Sequence, residues 1–263
     1  MAIAATAGPQ GFTVAAMNDI TISIQDKTYR SGHAEDRQHQ AIADLQLGVG
    51  RNEFVCLLGP SGCGKTTLLN MIAGLDSHYQ GQIQIGRQAT TARIGYVFQN
   101  PRLLPWYTVR QNIEVVFEET PPAALIDSLL ADMQLSDVQQ VYPERLSLGM
   151  QRRVAIIRAF AINPDILLMD EPFVSLDAPS ARQVRNLLYS LWQQRPHTVL
   201  FVSHDLREAI ALADRLIFLS PPPMRIVSDI PVNIPRERRN DEAQIEAFRE
   251  HLLNQHPAIN GLL

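Results

Sequence analysis

The segment GPSGCGKTT, residues 59–67, carries glycines, a lysine and hydroxyl groups at a spacing suited to holding phosphate. The phosphate-loop pattern is a glycine, four residues and then Gly-Lys-Ser/Thr, and Gly59 with Gly64, Lys65 and Thr66 fits it. Glycines let backbone N–H groups turn inward, and the following helix adds the positive end of its dipole. Lys65 is expected to reach the β- and γ-phosphates, and Thr66 to offer its hydroxyl to Mg²⁺. The predicted site comprises Gly59, Pro60, Ser61, Gly62, Cys63, Gly64, Lys65, Thr66 and Thr67.

The segment ILLMDEP, residues 166–172, supplies two carboxylates where an apolar strand ends. Asp170 is predicted to hold the water shell of Mg²⁺ beside Thr66, and Glu171 to position and polarise an attacking water. A chance glycine-rich turn and two solvated carboxylates are the alternative interpretations of these two segments. Their joint presence, with an apolar strand before the loop and the apolar helix TLLNMIAGL after it, favours a phosphate site.

Short apolar runs alternate with longer helical patterns, which is typical of a parallel α/β core. The runs expected to be strands buried on both faces are FVCLLG (54–59), ILLMD (166–170), VLFVS (199–203) and RLIFLS (215–220). ITISIQDKTYR (20–30) and QIQIG (82–86) alternate like edge or hairpin strands, and polar SGHAEDRQHQ (31–40) predicts an exposed loop.

Helical patterns prevail between about residues 100 and 160. PPAALIDSLLADMQL begins with prolines and places five apolar residues on one helical face, namely Leu125, Ile126, Leu129, Leu130 and Met133. Residues 1–17 are predicted to be a tail. SPPPM (220–224) is predicted to break structure before a last segment, 236–263, whose helix packs Ile245, Phe248, Leu252 and Leu253 on the body. The basic PRERR (235–239) is interpreted as a solvated turn, with contact to anionic lipid as the alternative.

Composition limits the classes of function. The chain has 263 residues, of which 46% are hydrophobic and 19% charged, as in soluble globular proteins. Its formal charge of −4 argues against a dedicated nucleic-acid binder. No apolar run approaches the roughly 18 residues of a membrane span. Cys56 and Cys63 are too few for a disulfide framework and indicate a reducing cytosol.

With the two motifs in place, residues 18–235 resemble an ATP-binding cassette (ABC) ATPase, with ATP and Mg²⁺ as its cofactors. By that resemblance, Gln99 in YVFQN senses the γ-phosphate and Mg²⁺, and His204 in VSHD contacts the γ-phosphate. Asp177 in SLD (175–177) would reach a partner subunit, and Tyr29 would stack on adenine. Taken singly, a loop amide, a helix-cap histidine and a core aromatic are the alternatives for Gln99, His204 and Tyr29.

The same resemblance explains RLSLGMQRR, residues 145–153, which lies where the family keeps Leu-Ser-Gly-Gly-Gln. Two cassettes of this family pair head to tail, so Ser147 and the backbone of Gly149 would face the γ-phosphate of the partner's nucleotide. Leu148 departs from the family's glycine. Three explanations stay open: an outward side chain, slow hydrolysis, or a different partner cassette with an intact signature. The arginines Arg152, Arg153 and Arg158 are interpreted as anchors of the helix and interface.

The resemblance implies an α/β fold: a P-loop NTPase (RecA-like) core with a parallel sheet, an antiparallel β subdomain and an α-helical subdomain at about 100–160. It also implies an importer ATPase on the cytoplasmic face of the inner membrane, with a separate transmembrane permease docking near NPRLLPWYTVRQNI (100–113). Leu103, Leu104 and Trp106 serve that docking or belong to the subdomain core.

LLPW resembles the nitrate, sulfonate and taurine importer group, served indirectly by a solute-binding protein. Thiamine precursors and aromatic acids also stay open as solutes, as does the identity of the partner cassette. The rival functions are a weak or regulatory cassette, a non-transport ABC ATPase and a soluble kinase.

Overall fold

The computed structural model describes residues 18–30, 38–86, 92–174 and 176–262. The predicted tail over 1–17 lies outside them, as do Ser175 of the SLD motif and residues 31–37. The strands are β1 (Asn18–Arg30), β2 (Gln38–Gly50), β3 (Phe54–Leu58), β4 (Gln80–Ile85), β5 (Ile94–Val97), β6 (Ile166–Asp170), β7 (Thr198–Val202), β8 (Arg215–Leu219) and β9 (Ile226–Pro231). The α-helices are α1 (Lys65–Ile72), α2 (Val109–Glu114), α3 (Ala123–Asp132), α4 (Leu148–Ala161), α5 (Ala178–Gln194), α6 (Leu206–Leu212) and α7 (Glu242–Gln255).

A six-stranded sheet in the order β5-β6-β7-β3-β8-β9 forms the centre of the fold. Its strands pair in parallel from β5 to β8, and only β9 joins antiparallel. Alternate residues of β3 enter two different hydrophobic cores: Phe54 and Cys56 face one core, and Val55 and Leu57 face the other. Because both faces of these strands are covered, their sequences are continuous apolar runs. The predicted parallel α/β core is confirmed.

A three-stranded antiparallel sheet, in the order β2-β1-β4, covers one side of this core. Ile20, Ile22 and Ile24 are buried while the residues between them are exposed, which explains the alternating pattern. The expectation that residues 20–30 form an edge or hairpin strand is half right: β1 pairs with β2, but it is the middle strand because β4 binds its other side. The loop predicted over 31–40 is wrong for residues 38–40, which belong to β2.

The segment between β5 and β6 is helical. It contains α2, α3 and α4, which pack against one another. Helix α3 begins directly after Pro121 and Pro122, as the proline pair predicts. Its apolar face buries Ile126, Leu129, Leu130 and Met133. Leu125 does not join them, since 41% of its surface is exposed at the outer edge of the helix.

The C-terminal helix α7 packs against α6 and buries Ile245 and Leu252, with Phe248 and Leu253 partly buried beside them, as predicted. The interpretation of PRERR as a solvated turn is wrong for two of its arginines. Arg236 forms an ion pair with Asp214, and its guanidinium lies 4.1 Å from the centre of the Trp192 ring.

Arg239 is 6% exposed and donates to the carbonyls of Val232, Ile234 and Ala213. These two arginines fasten the last segment to the body. Both cysteines are buried and free, and no helix among the described residues is long and apolar enough to cross a bilayer.

Candidate active site

Four strands deliver the predicted site residues to one edge of the sheet. The phosphate loop follows β3, Gln99 follows β5, Asp170 ends β6, and His204 follows β7. These strands are parallel neighbours, so their carboxyl ends meet at the same edge, where ligands of such sheets bind. Residues far apart in the sequence therefore converge on the loop 59–67.

The loop itself has the backbone that its glycines permit. Gly62 and Gly64 have φ of +76° and +112°, which a side chain disfavours, and Gly64 caps the start of α1. Lys65 is 7% exposed, and its Nζ donates to the carbonyls of Gly59 (2.7 Å) and Pro60 (2.9 Å). The ammonium group therefore lies over the loop, where the phosphates of a nucleotide would need it.

Thr66 and Asp170 are joined across two elements. Thr66 Oγ1 donates to Asp170 Oδ2 at 2.7 Å, and the aspartate is 2% exposed. Burial raises the pKa of Asp170, the Glu171 charge adds to this, and Thr66 and Lys65 oppose it. Within the described ranges, no cluster of three His, Cys, Asp or Glu side chains forms a metal cage. The pair fits Mg²⁺ instead, which is commonly bound by few protein oxygens together with substrate phosphates.

Glu171 lies between the two other predicted phosphate sensors. Gln99 Nε2 donates to Glu171 Oε2 at 3.1 Å, and His204 Nδ1 lies 3.8 Å from Glu171 Oε1. Glu171 has φ of +48°, a conformation that is uncommon for a non-glycine residue and that concentrates at functional sites. His204 is exposed at the edge of this cluster.

Arg152 contributes to this cluster through its contacts with the backbone. Its side chain is 3% exposed and donates to the carbonyls of Glu171 and Gln99. The sequence identified it only as an anchor, and nothing in the sequence indicated which segments it joins. Arg153 and Arg158 are also anchors, donating to the carbonyl of Met133 and to those of Pro101 and Arg102 respectively.

Tyr29 lies beside the phosphate loop, and its hydroxyl is 3.2 Å from Thr67 Oγ1. The ring is 43% exposed, which argues against a core aromatic. Lys27 Nζ lies 4.5 Å from the ring centre and pairs with Asp76. Lys27 is 3% exposed and was not identified from the sequence, because an isolated strand gives no sign that a lysine within it is buried.

Three predicted residues are not brought to this cluster. Ser147 is exposed and caps α4, where its hydroxyl accepts from the Met150 amide. Asp177 is exposed at the start of α5. Neither these two nor Gly149 forms a hydrogen bond with the phosphate loop within the described part of the chain.

Leu148 is the first residue of α4, its φ is not positive, and its side chain is 46% exposed. The backbone strain that a leucine would cause in a glycine conformation is therefore absent.

Residues 42–174 match the protein family described as ABC transporter. An aliphatic sulfonates import ATP-binding protein, SsuB of Bacillus subtilis (strain 168), is 36% identical over 90% of this chain and 93% of its own length. A taurine import ATP-binding protein, TauB of Escherichia coli O6:H1, is 38% identical over 82% of this chain and 91% of its own length.

Among solved structures, a dimeric ATP-binding cassette in a post-hydrolysis state with ADP and Pi superposes with a TM-score of 0.71. It is 28% identical, and the match covers 82% of this chain and all of that one.

Proposed function

The chain belongs to the ABC transporter family and is an ATPase, and we propose that it drives an importer of aliphatic sulfonates or taurine. The observation that carries this proposal is the convergence of Lys65, Thr66, Asp170 and Glu171 at one loop, in a chain similar to import ATP-binding proteins along most of its length. Nitrate, which the sequence also left open, has no support among these relatives.

Glu171 is the residue that we propose to orient and polarise the attacking water. Its carboxylate is approached by Gln99 from one side and by His204 from the other, which fixes its direction. A base positioned in this way accelerates a reaction by about 10²–10⁴-fold. Lys65 binds the β- and γ-phosphates in this proposal. Thr66, Gln99 and Asp170 would hold Mg²⁺, and the ion would neutralise phosphate charge.

Tyr29 is proposed to stack on adenine with the face of its ring that Lys27 leaves free. The hydroxyl near Thr67 keeps the ring next to the phosphate loop, where the base of a bound nucleotide has to lie. A cation on one face and a base on the other both use the electron density of the ring. The exposed fraction of Tyr29 supports this role.

Head-to-tail pairing with a second cassette is proposed because part of the predicted site lies outside the cluster. Among the described residues, Ser147, Gly149 and Asp177 form no hydrogen bond with the phosphate loop, which supports a role for them toward the nucleotide of another chain. The start of α4 directs the positive end of a helix dipole outward at this place. The exposed side chain and unstrained backbone of Leu148 agree with the explanation in which the leucine is tolerated.

The permease is proposed to dock on the surface around Trp106, which is 66% exposed. Leu103, by contrast, is partly buried and packs against the core. Trp106 therefore fits the docking interpretation, and Leu103 fits the interpretation as part of the subdomain core. Asn112, fully buried, fixes the segment by accepting from the Leu104 amide and donating to three carbonyls in it. Tryptophan is enriched in protein–protein interfaces relative to the rest of the surface, which supports this placement.

The test of this function is ATP hydrolysis by the chain assembled with its permease and solute-binding protein in lipid vesicles. We expect taurine or another alkanesulfonate to stimulate hydrolysis and nitrate to leave it unchanged. Stimulation by nitrate, or no response to any sulfonate, would contradict the proposal.

A further inference from the structure

Arg152 has a buried guanidinium that touches two segments of the active site at once. Its Nη1 donates to the carbonyl of Glu171 at 2.5 Å, and its Nη2 donates to the carbonyl of Gln99 at 2.9 Å. Burial lowers the pKa of Arg152, and the Glu171 charge opposes this shift. A guanidinium gives up its hydration only at a cost, and these two bonds offset part of it, since the buried Nε has no partner among the described residues.

These bonds complete a closed ring of contacts. The side chains of Gln99 and Glu171 bond directly to each other, and Arg152 joins their backbones a second time. Glu171 also holds a positive φ of +48°, and such conformations persist only where surrounding contacts fix them. The Glu171 amide donates to the carbonyl of Val202. The Glu171 carbonyl accepts from the Val174 amide and from the Arg152 guanidinium. Arg152 is the charged donor among these contacts.

We propose that Arg152 is a positioning residue for hydrolysis, which holds Glu171 and Gln99 in register and ties both to α4. The guanidinium is a flat, rigid fork, so it fixes the distance between the two carbonyls, and their position follows the placement of the helix. Helix α4 begins beside Ser147, the residue proposed to face the partner's nucleotide. This inference rests on the proposed function for the roles of Glu171, Gln99 and Ser147.

Arg153 offers a matched control on the same helix. It also buries part of its guanidinium and donates to a backbone carbonyl, but that carbonyl belongs to Met133, after α3. Burial lowers the pKa of both arginines. Replacing either arginine by methionine removes a charged donor from α4. Arg152 is the one of the two that bonds to the segments of Glu171 and Gln99.

The experiment compares Arg152→Met, Arg152→Lys and Arg153→Met as purified full-length chains. We expect Arg152→Met to lower kcat by roughly 10–100-fold, because small misplacements of catalytic groups have effects of this size. The KM for ATP and the affinity for Mg·ADP should stay within about threefold, because Lys65 and its loop are untouched. Arg152→Lys, which can reach one carbonyl, should recover part of kcat, and Arg153→Met should keep it within about twofold.

A second measurement does not depend on turnover. Amide hydrogen exchange should become faster over residues 98–101 and 171–174 in Arg152→Met and stay unchanged there in Arg153→Met. Equal losses of kcat in the two methionine variants, or unchanged exchange over both segments, would overturn the proposal. If the unaltered protein hydrolyses no ATP, the proposed function fails, and the exchange comparison still decides the role of Arg152.

Discussion

Asp170 holds a negative charge at the end of a strand whose five residues are all buried. Burial raises the pKa of this carboxyl in the folded chain, so the folded state binds its proton more tightly than the unfolded state does. Ionised Asp170 therefore destabilises the fold above its folded pKa. The cost disappears as the pH falls below the ordinary aspartate pKa of about 3.9.

We predict that Asp170→Asn raises the melting temperature of the nucleotide-free protein at pH 7 and abolishes Mg²⁺-dependent hydrolysis. The gain in melting temperature should shrink as the pH falls through the raised pKa of folded Asp170, and it should vanish below the ordinary aspartate pKa of about 3.9. Asp137→Asn, at an exposed site, is the control and should leave the melting temperature at pH 7 nearly unchanged. A lower melting temperature for Asp170→Asn at pH 7 would show that the carboxylate stabilises the fold instead.

Sequence patterns located most of the candidate site because its key residues occur in short, ordered motifs. The phosphate loop needs its glycines locally, and Asp170 follows from an apolar strand that ends in a carboxylate. Arg152 and Lys27 could not be assigned in the same way. Both are charged residues buried by segments distant in the sequence, and no local pattern specifies which carbonyl or carboxylate they meet.

At the scale of elements, the continuous apolar strands were predictable because burial on both faces leaves an unbroken run. The position of β1 in the middle of its sheet was not predictable. Alternation shows that one face of a strand is buried, and it says nothing about which strands pair on either side. The basic segment 235–239 misled the prediction for a similar reason. Its charges suggest solvent, but Asp214 on the body pairs with Arg236, and backbone carbonyls accept from Arg239.

The attachment of the C-terminal segment can be tested at Arg239. Arg239→Met leaves the carbonyls of Val232, Ile234 and Ala213 without their donor, which we expect to destabilise the protein by about 2–3 kcal/mol. Chemical denaturation measures this loss. Arg238→Met is the control, since Arg238 is an exposed neighbour with the same charge, and its stability should change by less than about 0.5 kcal/mol. Equal losses of stability in Arg239→Met and Arg238→Met would mean that the buried hydrogen bonds of Arg239 do not stabilise the protein.

At the scale of the whole molecule, two hydrophobic cores lie on opposite sides of the six-stranded sheet. The antiparallel sheet with α1 lies on one side of the six-stranded sheet, and α2 to α4 lie on the other. Trp106 is displayed on the helical side, while Ser147 and Asp177 are exposed where helices begin. The surface proposed for the permease is therefore centred on Trp106, and the surface proposed for a second cassette on the helix starts at Ser147 and Asp177.

We predict that Trp106→Ala uncouples the chain from its permease without harming the ATP site. Stability and hydrolysis by the isolated chain should change little, since the side chain is mostly exposed, whereas binding to permease-containing vesicles should weaken at least tenfold. Val227→Ala removes an exposed apolar side chain from β9 and should leave vesicle binding unchanged. Full binding by Trp106→Ala would place the docking surface elsewhere.

Light scattering of Glu171→Gln with and without Mg·ATP tests whether two copies of the chain pair over nucleotide. The substitution removes the proposed base and should keep ATP bound, so we predict a monomer without nucleotide and a dimer with it. Lys65→Ala in the same background should stay monomeric. If Glu171→Gln binds ATP and remains a monomer, and Leu148→Gly added to it gives no dimer either, the chain does not close over a second copy of itself and the proposed pairing is wrong.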